Sequence, residues 1–272
     1  MTTIFDKFRM TGKTAVVTGG IGLLGKEFCR ALAEAGADVI VADLNAAGAE
    51  ETAAELRGEG GKAQGCGVDV TDKASVDRMT GFALEKTGRL DVLVCSAALD
   101  PKFDRTQGKH LNDFESYPLK LWRDALDVNL TGLFLCAQSA ARPMKAQNHG
   151  VIINICSTYG LVGPDQRLYE RPDQDPSERQ YKPVFYSVTK AGVVGLTKYL
   201  ATYYAGTGIR ANCLTPGGVY NGHDDVFNSQ YSARAVLGRM AKKDEMSGAL
   251  LFLASTYMTG ANLVVDGGWT AW

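Results

Sequence analysis

Short β-branched runs alternate with longer helical patterns along this chain, and this alternation limits its possible folds more than any other feature. Patterns with apolar residues at three- and four-residue steps lie between several of the runs, at 23–36, 45–60, 72–88 and 119–147. Strands that alternate with helices form parallel sheets. The seven strand-forming runs lie at 14–18, 38–43, 62–69, 91–96, 150–157, 208–215 and 262–266.

Four of these runs, near 14, 38, 91 and 151, are apolar on both sides. Strands of that kind are buried on both faces of a sheet. We therefore predict an α/β fold, a doubly wound parallel sheet of about seven strands flanked by helices on both faces. The 272 residues, 45% of them hydrophobic, suffice for one such domain, which we place at 1–272.

Two long segments interrupt the alternation. The segment 98–118 follows the fourth predicted strand and is polar and broken by Pro and Gly, and 159–183 follows the fifth and is longer still. Loops of that length inside a compact domain are usually functional or disordered. We predict that both belong to an active site.

Composition excludes several classes of protein. The net charge is −1, so no strong field attracts the chain to nucleic acid or to anionic lipid. The six cysteines are dispersed without a C-x-x-C pair, which predicts reduced, buried thiols and no metal site. The sequence shows neither a signal peptide nor a membrane span, so we expect a cytoplasmic protein.

The stretch TGGIGLLG, Thr18 to Gly25, follows the first predicted strand and opens the first predicted helix. It fits two patterns, G-x-G-x-x-G from Gly20 and T-G-x-x-G-x-x-G from Gly19, and both patterns include Gly22 and Gly25. Glycines at this spacing allow a tight turn and a close approach of the backbone to a pyrophosphate at the helix N-terminus. The stretch predicts a Rossmann-type dinucleotide site.

Asp43 strengthens that prediction because it ends the second predicted strand, some twenty residues after the glycines. Its carboxylate is placed to bind the ribose hydroxyls of adenosine, and it would repel a 2′-phosphate, which favours NAD over NADP. A glycine-rich turn without a ligand is the alternative. A P-loop is excluded, because the T-G-K at 11–13 lacks the glycine that should precede it.

The stretch YSVTK begins a strongly helical pattern. A spacing of four places Tyr186 and Lys190 on one helix face. A neighbouring ammonium lowers the pKa of a phenol, which would make Tyr186 a usable proton donor and acceptor. An ordinary surface pair is the simpler interpretation. A serine acyl-enzyme built on Ser187 and Lys190 is disfavoured, because no S-D-N or K-T-G motif accompanies the S-x-x-K.

Taken together, the motifs resemble the short-chain dehydrogenase/reductase family in its short, single-domain branch, over nearly the whole chain. The matching phrases, in that family's order, are the glycine turn, DVT, DVLVCSAA, DVNLTG, INICS, YSVTK, LTPGGV and LVVDGGW. Position by position, the resemblance implies a catalytic tetrad of Asn129, Ser157, Tyr186 and Lys190. Tyr186 would exchange a proton with the substrate oxygen, Ser157 would hydrogen-bond that oxygen, and Lys190 would hold the nicotinamide ribose. Asn129 would organise a water for proton relay.

The resemblance also implies a set of cofactor-binding residues. In addition to Tyr186 and Lys190 of the tetrad, they are Gly19, Ile21, Gly22, Leu24, Gly25, Asp43, Leu44, Asp69, Val70, Ser96, Ala97, Pro216, Gly217, Val219 and Asn221.

The chain departs from the family pattern at three places. Leu23 occupies the middle glycine of T-G-x-x-x-G-x-G, as in the longer branch of the family that modifies sugar nucleotides. Cys95 to Ala98 replace the usual N-N-A-G, which puts the usual asparagine contacts in doubt. Asn221 stands where a threonine is common, and its amide is a candidate replacement toward the carboxamide.

The resemblance implies an NAD-dependent oxidoreductase that interconverts a secondary alcohol and a ketone on a polar, carbohydrate-like substrate, acidic sugars included. Phrases such as STYGLVGPDQRLYE resemble a subgroup linked to surface-sugar and nonulosonate modification. An alternative is a 3-oxoacyl-carrier-protein reductase, although Asp43 and the absence of a base in 18–25 weigh against it. A third reading is a sensor or structural subunit that binds NAD without turnover.

Two further expectations concern the surroundings of the site. Gln166 and Arg167 lie a few residues beyond Ser157, and we predict that they contact substrate, with Arg167 able to hold a carboxylate. The alternative is a solvated loop whose charges pair among themselves. The resemblance also implies a homo-oligomer, a tetramer, that pairs through the helices starting near Leu119 and Val184.

Overall fold

The computed structural model describes residues 3–100, 113–171, 175, 179–255 and 257–272. Within these residues, seven strands form one parallel sheet in the order β3-β2-β1-β4-β5-β6-β7. This confirms the predicted doubly wound α/β fold. The strands are β1 (Thr14–Thr18), β2 (Asp38–Asp43), β3 (Lys62–Gly67), β4 (Val92–Cys95), β5 (Gly150–Ile155), β6 (Ile209–Pro216) and β7 (Asn262–Val265).

Helices cover both faces of the sheet. Phe28 and Leu32 of α1 pack with Leu250 of α8 in the core on one face, where α2 also lies. Met79 of α3 and Met144 of α5 belong to the core on the other face, together with α6. The helices are α1 (Leu23–Glu34), α2 (Ala46–Gly58), α3 (Lys73–Thr87), α4 (Leu119–Leu126), α5 (Gly132–Gln147), α6 (Val184–Tyr203), α7 (Asp225–Arg234) and α8 (Ser247–Ser255).

Local sequence signals set several of the element ends. The side chain of Asn45 caps α2, and that of Asp72 caps α3 by accepting from the backbone N–H groups of Ala74 and Ser75. Gly88 ends α3 in the left-handed conformation, with a φ of 76°. Every residue of β1 and β5 is buried, which explains why their sequences are apolar on both sides.

The predicted elements differ from the observed ones in two ways. The helical pattern over 119–147 is divided by a π-helical turn, Asp127–Thr131. The segment 159–183 contains two short 3-10 helices, Thr158–Gly160 and Gln166–Tyr169. Most of the predicted loop 98–118 lies outside the described residues. Among the helices that are described, none combines the length and the apolar character needed to span a membrane.

Candidate active site

The predicted site residues lie at the carboxyl ends of the central strands. β1 and β4 are neighbours although β2 and β3 intervene in the chain, so the strand order switches direction between them. Ligands of open α/β sheets bind outside the carboxyl ends at such a switch point. Thr18 ends β1 opposite Cys95, and its hydroxyl accepts from the Ala97 N–H at 3.4 Å. The chain after β4 is thereby attached to the start of the glycine turn.

The glycine turn is too tightly packed for side chains. Gly19 has a φ of +67°, and a Cβ there would lie 2.8 Å from the Ala97 Cα. A Cβ on Gly25 would overlap the carbonyl oxygen of Gly19, which accepts from the Gly22 N–H at 3.0 Å. The turn is therefore built by the glycines of T-G-x-x-G-x-x-G, whereas Gly20 packs toward β2.

Asp43 is fixed beside this turn. Its Oδ2 accepts from the Ile21 N–H at 3.4 Å and its Oδ1 from the Asn45 N–H at 3.2 Å. Gly22 is the N-cap residue of α1 and supplies no side-chain cap, so the helix N-terminus faces the turn with its backbone N–H groups alone. Leu44, the next residue after Asp43, is 76% exposed.

Further predicted cofactor residues surround the same edge. Val70 is buried, Leu24 is partly buried against the core, and Ser96 is partly buried after β4. Asp69 is exposed after β3, where hydrogen bonds from the Thr71 hydroxyl and N–H lower the pKa of its carboxyl group. The structure thus places these four residues beyond the ends of two strands, β3 and β4, and at the start of α1.

The predicted residues after β6 divide into two groups. Pro216 is buried at the strand end, and the Gly217 N–H donates to the Val265 carbonyl at 2.9 Å. Val219 forms an isolated bridge with Ala241. Asn221 lies further out, on an exposed turn.

Ser157, Tyr186 and Lys190 converge beyond the end of β5. Ser157 lies two residues beyond the end of β5 and hydrogen-bonds Tyr186. Tyr186 lies in the first turn of α6, and Lys190 lies one turn further on with its Nζ 5.8 Å from the Tyr186 ring centroid. The Lys190 Nζ donates to the Ile155 carbonyl at 2.9 Å. One strand end and one helix face thereby assemble three of the four predicted catalytic residues.

The electrostatics of Tyr186 differ from the prediction. The sequence predicts that Lys190 lowers the pKa of Tyr186, but the net shift of this pKa is upward. Burial is the main cause because it penalises the phenolate, and the carboxylate of Asp100 adds repulsion; the hydrogen bond from Ser157 opposes both. Burial also lowers the pKa of Lys190. In this environment Tyr186 is protonated at neutral pH.

Asn129 belongs to the π-helical turn Asp127–Thr131, and its side chain is buried. Its Oδ1 accepts from the Leu99 N–H at 2.6 Å, and its Nδ2 donates to the Leu99 carbonyl at 3.0 Å. Nδ2 also donates to the Thr189 hydroxyl at 3.4 Å, and that hydroxyl donates to the Tyr186 carbonyl at 3.2 Å. Asn129 is thus connected to Tyr186 through the backbone of α6, and it positions the chain that follows β4.

Sequence reasoning missed two charged residues beside Tyr186. The Lys182 Nζ lies 4.1 Å from the Tyr186 ring centroid and forms an ion pair with Asp100 at 2.5 Å. Lys182 precedes Tyr186 by four residues, the same spacing that identifies Lys190 on the other side. The partnership with Asp100, 82 residues away, had no local signal.

An aromatic cluster was also missed. Tyr159 meets the Tyr186 ring edge-on at 6.5 Å between centroids. Tyr231 of α7 stacks on Trp269 at 4.1 Å, and Tyr169 belongs to the same buried cluster. These side chains come from the segments that follow β5, β6 and β7, so only the folded chain brings them together.

The two predicted substrate residues are engaged in local contacts. Gln166 binds the backbone of Lys182: its Oε1 accepts from the N–H at 2.8 Å and its Nε2 donates to the carbonyl at 3.5 Å. Arg167 is 73% exposed at its side chain and donates to both oxygens of Asp165 at 2.9 Å. Their role toward substrate stays a prediction.

Family models and relatives of named activity match nearly the whole chain. Residues 13–169 match the family model described as short chain dehydrogenase, and residues 176–270 match the model described as Enoyl-(Acyl carrier protein) reductase. The cis-4-hydroxycyclohexanecarboxylate dehydrogenase of Sinomonas cyclohexanicum is 36% identical over 95% of this chain and 97% of the relative. The D-threitol dehydrogenase of Mycolicibacterium smegmatis is 36% identical over 98% and 95%.

A solved structure has the same fold. The gluconate 5-dehydrogenase of Burkholderia cenocepacia, in complex with NADP and tartrate, matches with a TM-score of 0.86 and 31% identity, over 99% of this chain and 100% of that chain. The chain therefore belongs to the short-chain dehydrogenase/reductase family. It is an oxidoreductase that acts on CH–OH groups and their ketones.

The residues at the switch point fit the nicotinamide cofactor that this family uses. Gly19 and Gly25 leave a turn that side chains would fill, α1 presents an N-terminus without a side-chain cap, and Asp43 is fixed beside it. These groups suit a pyrophosphate and a ribose.

Proposed function

We propose that this enzyme is an NAD-dependent dehydrogenase that interconverts a secondary alcohol and a ketone on a polar, carbohydrate-like substrate. The observation that supports it best is the convergence of Ser157, Tyr186 and Lys190 at the end of β5. A phenol hydrogen-bonded to a hydroxyl, with a buried ammonium behind it, is equipped to move one proton at a substrate oxygen.

The residues would divide the work as follows. A nicotinamide cofactor bound by these residues would supply the hydride acceptor for oxidation of the alcohol and the hydride donor for reduction of the ketone. Tyr186 takes the proton of the substrate hydroxyl as the C–O double bond forms, and gives that proton back in reduction. Ser157 hydrogen-bonds the same oxygen, Lys190 holds the nicotinamide ribose, and Asn129 supports the proton relay.

NAD rather than NADP is part of the proposal. Asp43 is positioned at the end of β2, and a 2′-phosphate would meet its negative charge. The gluconate 5-dehydrogenase relative was solved in complex with NADP, so the family also includes enzymes that bind NADP. The cofactor would contact the residues named in the sequence analysis, from Gly19 to Asn221.

The names of the relatives favour a hydroxylated substrate. Besides the two dehydrogenases above, an L-rhamnose 1-dehydrogenase of Azotobacter vinelandii is 32% identical over 94% of this chain. These relatives act on rings or chains that carry several polar groups. We propose the same class here, with Gln166 and Arg167 retained as candidate contacts and the segments 98–118 and 159–183 as the parts that enclose the substrate.

A second candidate is a 3-oxoacyl-carrier-protein reductase. The enzyme of that name in Synechocystis is 31% identical over 95% of this chain. Against it stand Asp43 and the absence of a basic residue in 18–25. An oxoacyl thioester in the substrate panel separates the two functions directly.

We further propose that residues 1–272 form one domain and that the enzyme is a cytoplasmic homo-tetramer. The apolar side chains that α5 and α6 leave exposed support the assembly, Phe134 and Val188 among them.

The test combines a substrate panel with a single-atom change. Sugars, sugar acids, polyols and oxoacyl thioesters are assayed with NAD and NADP by the absorbance of the reduced cofactor. Tyr186→Phe removes the proton donor and keeps the ring, so kcat should fall by about 10²–10⁴-fold while cofactor binding stays nearly unchanged. Tyr257→Phe, at a fully exposed tyrosine beyond α8, is the control and should keep full activity. A Tyr186→Phe variant that retains more than a few per cent of kcat would show that another group carries the proton.

A further inference from the structure

Lys182 is placed at the reacting centre by its surroundings. Its Nζ lies 4.1 Å from the ring centroid of Tyr186, and its side chain is only 10% exposed. Gln166 binds both the N–H and the carbonyl of Lys182, so the backbone of this residue is fixed as well. A buried and doubly anchored lysine has lost the rotamer freedom that a surface lysine keeps. Its ammonium is therefore presented at one position.

Asp100 completes the arrangement. Its Oδ1 accepts from the Lys182 Nζ at 2.5 Å, and its side chain is 49% exposed. An ammonium carries three donors and a carboxylate about four acceptor sites, so one bond between them leaves donors and acceptors for a ligand. The pair as a whole carries no net charge.

The other cations of the segment 159–183 have their charged groups engaged elsewhere. Arg167 pairs with Asp165, and Arg171 pairs with Asp224. Arg179 pairs with Glu170 and lies over the ring of Tyr181. Within this segment, Lys182 is the base whose charged group contacts Tyr186.

The chemistry of the pair selects among substrate classes. A hydroxyl group can accept from the Lys182 ammonium and donate to the Asp100 carboxylate at once. A substrate carboxylate could use the ammonium but would face the like charge of Asp100. A hydrocarbon substituent would desolvate both groups without hydrogen-bonding to either, which is costly.

We propose that the ion pair Lys182–Asp100 is a substrate-recognition element that binds a hydroxyl on the carbon next to the reacting carbinol. It makes the enzyme selective for uncharged vicinal diols and polyols over monoalcohols and hydroxy acids. This inference rests on the proposed function, because it takes Tyr186 as the group that marks the reacting oxygen.

Two substrates that differ by one hydroxyl test the inference. The probes are cis-1,2-cyclohexanediol and cyclohexanol, with 4-hydroxycyclohexanecarboxylate as the anionic probe. We expect kcat/KM of the wild-type enzyme to be on the order of 10²-fold higher for the diol than for cyclohexanol, as hydrogen bonds to charged groups allow. The ratio of the two kcat/KM values is the readout, because an effect on proton transfer at Tyr186 alters both substrates and cancels.

Lys182→Met and Asp100→Asn remove one partner each. Both should reduce the ratio to within a few fold of one, chiefly through a raised KM for the diol. Lys145→Met, an exposed lysine in the last turn of α5, is the matched control and should leave the ratio unchanged. Asp100 is half exposed, so Asp100→Asn tests the idea even if Lys182→Met fails to fold.

Several results would overturn the inference while the proposed function stands. They are a ratio that survives both substitutions, an equal loss for both substrates, and a wild-type preference for cyclohexanol or for the hydroxy acid. Oxidation of other panel members but of no vicinal diol would do the same. By contrast, a Tyr186→Phe enzyme that remains active would contradict the proposed function. A wild-type enzyme that is inactive on the whole panel would contradict both the proposed function and this inference.

Discussion

Asp43 is the residue on which the proposed preference for NAD over NADP depends. It sits where β2 ends, and backbone N–H groups from both sides hold it in place. Because those bonds fix the carboxylate, it can accept from two vicinal ribose hydroxyls without reorganising. The same rigidity prevents it from moving away from a 2′-phosphate.

We therefore expect the wild-type enzyme to have a higher affinity for NAD than for NADP. Asp43→Ala should reduce the difference between the two affinities. The variant should raise KM for NAD and lower or leave unchanged KM for NADP, as measured by titration of both cofactors at one substrate concentration. Asp38→Ala is the control, because Asp38 lies at the amino end of β2, away from the carboxyl end where Asp43 lies. Equal or tighter binding of NADP by the wild-type enzyme would contradict the prediction.

Asp100 acts on Tyr186 as well as on substrate. Five charged or titratable groups surround the phenol. They are Lys182 over the ring, Lys190 behind it, Asp100 paired with Lys182, Cys156 next to Ser157, and Tyr159 edge-on to the ring. Burial raises the pKa of Tyr186, and Asp100 raises it further because a second negative charge nearby disfavours the phenolate. Oxidation of an alcohol requires the unprotonated phenol, so its rate should rise as pH rises toward this pKa.

Asp100→Asn should lower the pKa of Tyr186. Removal of the carboxylate stabilises the phenolate and frees the charge of Lys182 to act on the ring, and both changes lower the pKa of Tyr186. The alkaline rise of kcat for oxidation of cyclohexanol should therefore move to lower pH, with pH profiles of kcat as the measurement. Asp124→Asn, exposed on α4 and paired with Lys120, is the control. A shift to higher pH in Asp100→Asn would refute this account of Tyr186.

The candidate site could be predicted from sequence only in part at this scale. Tyr186 and Lys190 are identifiable because a spacing of four fixes their common face on a helix. Ser157 has no such marker, and the resemblance to the family was needed to single it out. The pairing of Lys182 with Asp100 is invisible in the sequence because it depends on how two loops meet above the sheet.

At the scale of elements, α7 is attached to the segment after β5 at both of its ends. Arg171 pairs with Asp224, the N-cap residue of α7, at 2.7 Å. Arg234, in the last turn, pairs with Asp165 and lies over the Trp269 ring at 5.7 Å. Between these ends, Phe227 packs on Tyr169 with 5.6 Å between ring centroids. The helix and the segment therefore form one wall next to Tyr186.

The double variant Arg171→Gln/Arg234→Gln should loosen that wall. Exposed ion pairs contribute at most about 1 kcal/mol each, so we expect KM for substrate to rise by roughly 2- to 10-fold with KM for the cofactor nearly constant. Limited proteolysis should also cut faster within 165–235. Arg78→Gln on α3, paired with Asp72 and 72% exposed, serves as the control. Unchanged KM and unchanged proteolysis together would mean that the ion pairs do not hold the wall.

Elements were predictable wherever burial dictates the sequence. The strands end within two residues of the predicted bounds because their apolar runs stop where the sheet stops. The π-helical turn Asp127–Thr131 escaped prediction, because one extra residue per turn leaves the apolar spacing of the helix almost unchanged. The course of 159–183 could not be derived either, since its charges find partners in distant segments.

At the scale of the whole molecule, apolar side chains remain exposed on α4, α5 and α6. Leu119 of α4 is 57% exposed and Phe134 of α5 is 45% exposed. On α6, Val188 is 44% exposed, and Tyr199 and Tyr203 are 60% and 65% exposed with their rings stacked at 5.8 Å. Contiguous exposed apolar patches mark contacts between protein chains, and the stacked rings of Tyr199 and Tyr203 form one contiguous pair. The exposed side chains lie on α4, α5 and α6, the helices of the two segments, starting near Leu119 and Val184, through which the sequence predicts pairing.

We therefore expect the enzyme to be an oligomer, and the family resemblance implies a tetramer. Light scattering at micromolar concentration measures its mass. Phe134→Glu should shift the mass toward smaller species, because a buried, unpaired carboxylate at a contact is strongly unfavourable. Phe5→Glu, at a 77% exposed position in the N-terminal 3-10 helix, should leave the mass unchanged. A monomeric mass for the wild-type enzyme would refute the prediction.

Because α6 also holds Tyr186 and Lys190 in place, dissociation of Phe134→Glu should lower kcat as well. A smaller oligomer with an unchanged kcat would show that each chain maintains its active site without contacts to other chains.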